Sequence, residues 1–319
     1  MTCGSGECAG GMVRELRHGG GEPSGHCAAR PRAPRISAAV SESARMRLLH
    51  YGMQLPPART ADLVTERCIP HGVDWHLILD LDGDPGAHNM ARDESLLVEA
   101  DRSGAAFLRL YRWDPPCLSF GRNEPALGRY DRARIEALGL AVVRRPTGGR
   151  AVWHQHEVTY AVAAPIARVG SLRDSYRAIH ARLAAALRRL GAHAVLAPDA
   201  RAPGLASGPC FAAPVGGEVL VGGRKVIGSA QVRRGHAFLQ HGSILLAGSQ
   251  DIVTDVSRER GAGSSATNLS AVLGRPVSFD EVAAALVSGW GAELAPSAPV
   301  RPPPPLSARF SDPLWTWRR

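Results

Sequence analysis

The chain has 319 residues, 45% of them hydrophobic, and a formal charge of +9, so it can bury the core of one or two domains and should seek acidic partners. No run approaches the roughly 18 apolar residues needed to span a bilayer, and the N-terminus lacks the apolar stretch of a secretory signal, which predicts a soluble, cytoplasmic protein with no membrane role. The six cysteines (Cys3, Cys8, Cys27, Cys68, Cys117, Cys210) include no C-x-x-C pair, so neither a zinc site nor a disulfide framework is expected.

Residues 1–73 are rich in Gly, Arg, Ala, Pro and Ser, show little periodicity, and read as a low-complexity N-terminal extension with no assigned function. Order is expected from Trp75. The stretch 76–82 reads as a strand, Asp84-Pro85-Gly86 as a turn, and His88 to about Ala100 as a helix marked by the apolar residues Met90, Leu96, Leu97 and Val98. Short strands follow at 106–112 and 117–121, then a helix at 131–138 and strands at 142–145, 151–154 and 158–164. Ser171 caps a long helix to about Leu190, whose stripe Tyr176, Ile179, Leu183 and Leu187 faces a core. A strand at 193–196, a loop at 198–215, a hairpin, a strand at 237–246 and helices near 250–256 and 279–291 complete the sequence. The proline-rich tail 296–319 is expected to run extended over the surface for its first ten residues. Strands and helices mix without βαβ alternation, which predicts an α+β fold on a mixed sheet in a unit spanning 74–295.

The hairpin holds a compositional oddity. Among 38 basic residues Lys225 is the only lysine, retained where arginine has replaced it elsewhere. A compact ammonium with three rotatable donors does what a planar guanidinium cannot. Strands at 218–221 and 225–232 flank Gly222-Gly223, a tight-turn signal. Gly228-Ser229-Ala230 then places three small residues mid-strand, which makes room for a ligand or another backbone.

Two other stretches can carry chemistry. Arg144-Arg145-Pro146-Thr147-Gly148-Gly149-Arg150-Ala151-Val152-Trp153-His154 joins adjacent glycines, three guanidiniums and an imidazole. Such a loop is either a backbone nest for anionic or carbonyl oxygens or a glycine turn with solvated arginines. His154 and His156 share a strand face, but a metal needs further ligands, so no metal is expected. Cys210, in the loop before the hairpin, is either a buried structural thiol or a nucleophile that Lys225 helps to ionise. Cys117, inside a strand, reads as structural. The basic residues are dispersed and few aromatics accompany them, so nucleic acid is not the expected partner.

Taken together, these motifs resemble the lipoate and biotin protein ligase superfamily, and within it the octanoyltransferases that use a cysteine. The matching residues are Asn89 to Glu94, Leu110 to Trp113, Pro115 to Gly121, Arg144 to His154, Glu157 to Tyr160, Cys210-Phe211, Gly223 to Gln231 and Gln240 to Ser243. The resemblance implies an octanoyl group taken from octanoyl-acyl carrier protein, held as a thioester on Cys210, and passed to a lysine of a lipoyl carrier such as the glycine cleavage H protein or a dehydrogenase E2 domain. It implies that Lys225 orients the acyl carbonyl, that Arg144, Arg145, Thr147, Gly148, Gly149, Arg150, Ala151 and His154 shape the acyl and carrier-arm pocket, and that Gly228, Ser229, Ala230, His241 and Gly242 line it. No cofactor is implied, and the protein is expected to act as a monomer. The competing readings are an ATP-dependent lipoate-protein ligase and an octanoyl amidotransferase between lipoyl carriers. Arg150 stands where ligases of this kind carry a third glycine, and Glu157-Val158-Thr159 where they carry Gly-Asn, both of which favour the transferase.

Overall fold

The computed structural model describes residues 75–198, 216–259, 266–290 and 294–318; the N-terminal extension and Cys210 lie outside the described residues. In chain order the elements are β1 (Trp75–Asp84), α1 (Gly86–Ser103), β2 (Ala106–Trp113), β3 (Cys117–Phe120), α2 (Ala126–Arg129), α3 (Arg132–Ala137), β4 (Ala141–Arg144), β5 (Val152–His154) and β6 (Glu157–Pro165). They continue with α4 (Ile166–Val169), α5 (Leu172–Arg189), β7 (Ala194–Leu196), β8 (Val219–Val221), β9 (Arg224–Lys225), β10 (Ile227–Arg234) and β11 (Ala237–Leu245). The last are α6 (Asp251–Asp255), α7 (Leu269–Leu273), α8 (Phe279–Gly289), β12 (Leu294–Pro296), α9 (Pro304–Ser311) and α10 (Pro313–Thr316).

A six-stranded sheet in the order β10-β11-β6-β2-β1-β12 forms the middle layer. The β1 strand pairs parallel with β2 and β12, whereas the β2–β6, β6–β11 and β11–β10 pairs are antiparallel, so the sheet is mixed, as expected. Strand alternation sends Leu108, Leu110, Val158, Tyr160 and Val162 to one face, against Ile179, Leu183 and Leu187 of α5 and Val282 and Leu286 of α8. Each large apolar side chain buried there contributes about 1.5–3 kcal/mol. Phe107, Tyr111, Ala161 and Ala163 point to the opposite face, against Met90, Leu96 and Leu97 of α1 and Phe310 of α9.

The cap predicted at Ser171 is present, and a second one stands at Asp131. Ser171 and Asp174 form a capping box at the start of α5, and Asp131 accepts from the Arg134 amide to start α3. Cys117 is buried, and burial pushes its thiol well above the usual range, which suits a structural residue.

Two regions differ from the sequence expectation. The strand foreseen at 225–232 is split: β9 pairs with β8 in a small sheet with β7, and β10 joins the large sheet through β11. Val226 stands at the corner, donating to Val219 O of one sheet and accepting from the Leu245 amide of the other. Gly222 and Gly223 have φ of 56° and 73°, left-handed values that a two-residue turn needs and that side chains disfavour. The tail departs from the expectation at Pro304, which starts α9, because a fixed φ and a missing N–H cost nothing in a helix's first turn; just ahead of it, residues 294–296 add a strand to the sheet.

Candidate active site

A cavity opens between strands β2, β6, β11 and β10 of the large sheet and the small sheet β4-β3-β5. Met90 of α1 with Tyr111 and Trp113 of β2 supply its apolar wall. Ser119, Arg145, Val152, His154 and Thr159 supply a second side, and Gly228–Ala230 and His241–Ser243 close it from β10 and β11. About 360 Å³ of non-atom space, the open mouth included, lies among these residues. Seven of the residues expected from the sequence line this one space: Arg145, His154, Gly228, Ser229, Ala230, His241 and Gly242.

The polar wall is built from two imidazoles held in the same way. His241 Nδ1 lies 2.8 Å from Asp93 Oδ2 and its Nε2 lies 2.6 Å from Thr147 Oγ1. A carboxylate only accepts, so Nδ1 carries the proton and Nε2 accepts from the threonine hydroxyl. Burial holds the imidazole pKa below its ordinary value against the pull of Asp93. Burial alone would raise Asp93, but His241 and the Arg109 guanidinium at 2.7 Å bring it below the usual carboxylate range. His154 repeats the pattern, with Nδ1 2.8 Å from Glu157 Oε1 and Nε2 2.8 Å from Ser119 Oγ. Its ring stacks on Trp113 at 4.0 Å and 9° between planes. Both imidazoles therefore have both nitrogens engaged, and they act as a rigid polar lining rather than as free bases.

The other expected residues are not in the cavity lining. Arg145 reaches from the wall into the glycine loop, donating to Gly148 O and Arg150 O, both at 2.7 Å, and so fixes the turn carrying Gly148 and Gly149. The Ala151 amide donates to Glu124 Oε1. Thr147 orients His241. Arg144 is fully buried and points away, donating to the carbonyls of Gly121, Arg122 and Glu124 on one side and of Trp315, Thr316 and Arg318 on the other. Lys225 is 2% exposed and its Nζ donates to Glu218 Oε1 at 2.6 Å. It stands at the end of β9, three residues before the Gly228 wall.

Sequence reasoning passed over the charges beneath the wall. Arg109, 1% exposed, donates to Asp80 at 2.6 Å and to Asp93 at 2.7 Å, and Tyr111 adds its hydroxyl to Asp93 at 2.8 Å. The available signal was an arginine inside the otherwise apolar run Ala106–Leu110, since a charge in a central strand has to be paired. His180 was also passed over, on the face of α5 read as plain core.

His180 carries a pH prediction. Burial, helped by the nearby Lys225 ammonium and opposed by the Gly217 carbonyl, lowers its pKa to about 4 from an ordinary 6.5. The unfolded chain then binds a proton that the folded chain refuses. The stabilisation is complete above pH 6.5 and is lost as the pH falls toward 4, at a cost of about 3 kcal/mol over that window. Urea unfolding between pH 7 and about 4.5 should show this slope, and His180→Gln should flatten it.

The model of the lipoyl protein ligase A/B catalytic domain matches residues 85–291, and the chain belongs to that family. Its similar relatives include octanoyltransferase LipM of Carboxydothermus hydrogenoformans, 47% identical over 50% of this chain and 61% of that protein. Octanoyltransferase LipM of Kyrpidia tusciae is 39% identical over 70% of this chain and 89% of that protein. Among solved structures, lipoate-protein ligase A bound with ATP superposes with a TM-score of 0.63 at 22% identity, covering 77% of this chain and 99% of that one. The bipartite lipoate protein ligase of Thermoplasma acidophilum gives 0.61 at 20% identity, covering 77% and 96%; at such identities the likeness is one of fold. Among the described residues no helix is long and apolar enough to cross a membrane.

Proposed function

We propose that the protein takes an octanoyl group from octanoyl-acyl carrier protein onto Cys210 and passes it to a lysine of a lipoyl carrier domain. It is an octanoyltransferase of lipoate biosynthesis, and the relatives that align over most of their length are octanoyltransferases. The observation that carries this reading is the cavity, whose apolar wall of Met90, Tyr111 and Trp113 suits a medium alkyl chain and whose rim is polar and preorganised.

In the first half-reaction the Cys210 thiolate attacks the thioester carbonyl; a new C–S bond forms, the donor's breaks, and the carrier leaves as a thiolate that takes up the proton Cys210 had released. In the second, the uncharged acceptor amine attacks the Cys210 thioester; the C–N bond forms, the C–S bond breaks, and the amine proton ends on the departing sulfur. Lys225 is the cation that favours the thiolate and then the oxyanion. Both carriers meet a chain of +9 charge, which speeds encounter if they are acidic. The catalytic unit is 74–295, acting as a cytoplasmic monomer.

The test is intact-mass spectrometry after mixing the protein with octanoyl-acyl carrier protein without ATP. A hydroxylamine-labile octanoyl adduct, absent in Cys210→Ser, is the expected result. Modification of a lipoyl domain only when free octanoate, ATP and Mg²⁺ are supplied would replace this reading with that of a ligase.

A further inference from the structure

His180 is fully buried on α5 yet hydrogen-bonded at both ring nitrogens. Its Nδ1 lies 2.7 Å from the Gly217 carbonyl and its Nε2 lies 2.8 Å from Ser229 Oγ. A carbonyl only accepts, so Nδ1 holds the proton and Nε2 accepts from Ser229. That choice sets the direction of a whole chain of hydrogen bonds. Ser229 spends its proton on His180 and accepts from Tyr160 at 2.6 Å; Tyr160 accepts from Gln240 at 2.8 Å, and Gln240 from Gln231 at 2.8 Å. Tyr160 reaches Ser229 across Gly242, where a Cβ would stand 2.6 Å from Ser229 Oγ.

The two ends of the imidazole touch two different parts of the site. Ser229 belongs to the cavity wall. Gly217 precedes Glu218, the carboxylate that holds Lys225, and its amide donates to Ala197 O while the Ala197 amide donates to Glu218 O. Ala197 and Gly217 therefore join where the polypeptide bearing Cys210 departs and returns. For packing alone a leucine beside Leu183 would serve at less desolvation cost than a buried imidazole.

We propose that His180 is a positioning residue for acyl transfer, a clasp that ties the Gly217–Glu218 backbone to Ser229 and so sets where the Lys225 ammonium stands relative to the acyl group in the cavity. This rests on the octanoyltransferase reading. The alkyl chain is held elsewhere, by Met90, Tyr111 and Trp113, so a loosened clasp misplaces the ammonium without weakening binding, and misplacement of about 1 Å can cost about 10²-fold in rate.

The experiment compares full-length wild type with His180→Gln, His180→Asn and His180→Leu, using octanoyl-acyl carrier protein and a lipoyl domain. A glutamine amide reaches the Nε2 position and offers Ser229 an acceptor; an asparagine amide reaches only the Nδ1 side. Asparagine and leucine should lower kcat about 10- to 100-fold with KM for each carrier within about 3-fold, and glutamine should recover most of the loss. In the unliganded wild type, long-range ¹⁵N–¹H spectra should show His180 protonated at Nδ1 and bare at Nε2. Wild-type kcat in a folded His180→Leu, a glutamine variant no better than asparagine, or a proton on Nε2 would each overturn the proposal. Should leucine fail to fold, the glutamine–asparagine comparison and the tautomer decide. A wild type that moves no octanoyl from its carrier protein fails the function reading and takes the clasp with it, whereas a transferring wild type with an equally active leucine variant removes the clasp alone.

Discussion

Lys225→Met and Lys225→Arg are both expected to slow octanoyl transfer by about 10²–10³-fold, the usual effect of losing one preorganised donor at a developing oxyanion. They should differ in stability. Methionine takes from the buried Glu218 carboxylate its ammonium partner at 2.6 Å, and breaking a pair with both side chains at most 4% exposed costs about 3–5 kcal/mol. Arginine keeps the charge but brings a longer, planar head into a space shaped for an ammonium, so it should lose less stability and as much rate. Single-turnover transfer from octanoyl-acyl carrier protein, with urea unfolding of both variants, checks the pair of outcomes. An active arginine variant would show that any cation at this position suffices.

Arg144→Ala is expected to cost about 3–5 kcal/mol, because it strips a buried charge from six carbonyls at once. Burial, with Arg318 and Arg145 nearby and Glu124 opposing, brings its pKa down only to about 10, so it is charged at neutral pH. The guanidinium is what fastens the C-terminal segment to the loop after β3, with the Trp315 indole returning a bond to Arg144 O at 3.0 Å and Trp317 packing on Phe120 at 5.2 Å. Arg144→Lys should fare little better, since three donors cannot fan to six acceptors. Thermal melting should fall by about 10 °C or more, with early proteolysis of residues beyond 303. A full-strength melt with a raised KM for octanoyl-acyl carrier protein would instead assign Arg144 to the substrate.

Lys225 and Arg144 illustrate how much of this site could be read in one dimension. Lys225 was conspicuous because composition isolated it, and Gly228-Ser229-Ala230 because small residues interrupt a strand; both signals are local. Arg144 and Arg145 are adjacent and identical in sequence, yet the first faces the C-terminal segment and the second the cavity wall, because successive side chains at the end of a strand leave on opposite faces. Which face is the cavity was not knowable until β3 had neighbours on both sides. His180 fell in a helix stripe at core spacing, where an imidazole with two partners distant in the chain looks no different from a packed one. The helix start at Pro304 was missed for a similar reason: prolines favour extended backbone on their own, and only the docking of Phe310 and Trp317 makes the helical start worth adopting.

The sequence by itself determined the α+β class, most element positions, the cap of α5, the glycine turn before Lys225 and the family, because these depend on near-neighbour sterics, on apolar periodicity and on ordered motifs. The tertiary structure alone decided that the Lys225 strand breaks to serve two sheets, that Asp93, Arg109 and His241 form one buried charge system under the cavity, and that Arg144 anchors the C-terminal segment. Those are pairings between residues some 16 to 174 positions apart, and a buried charge takes whichever partner the folded chain brings within reach, which no local pattern encodes.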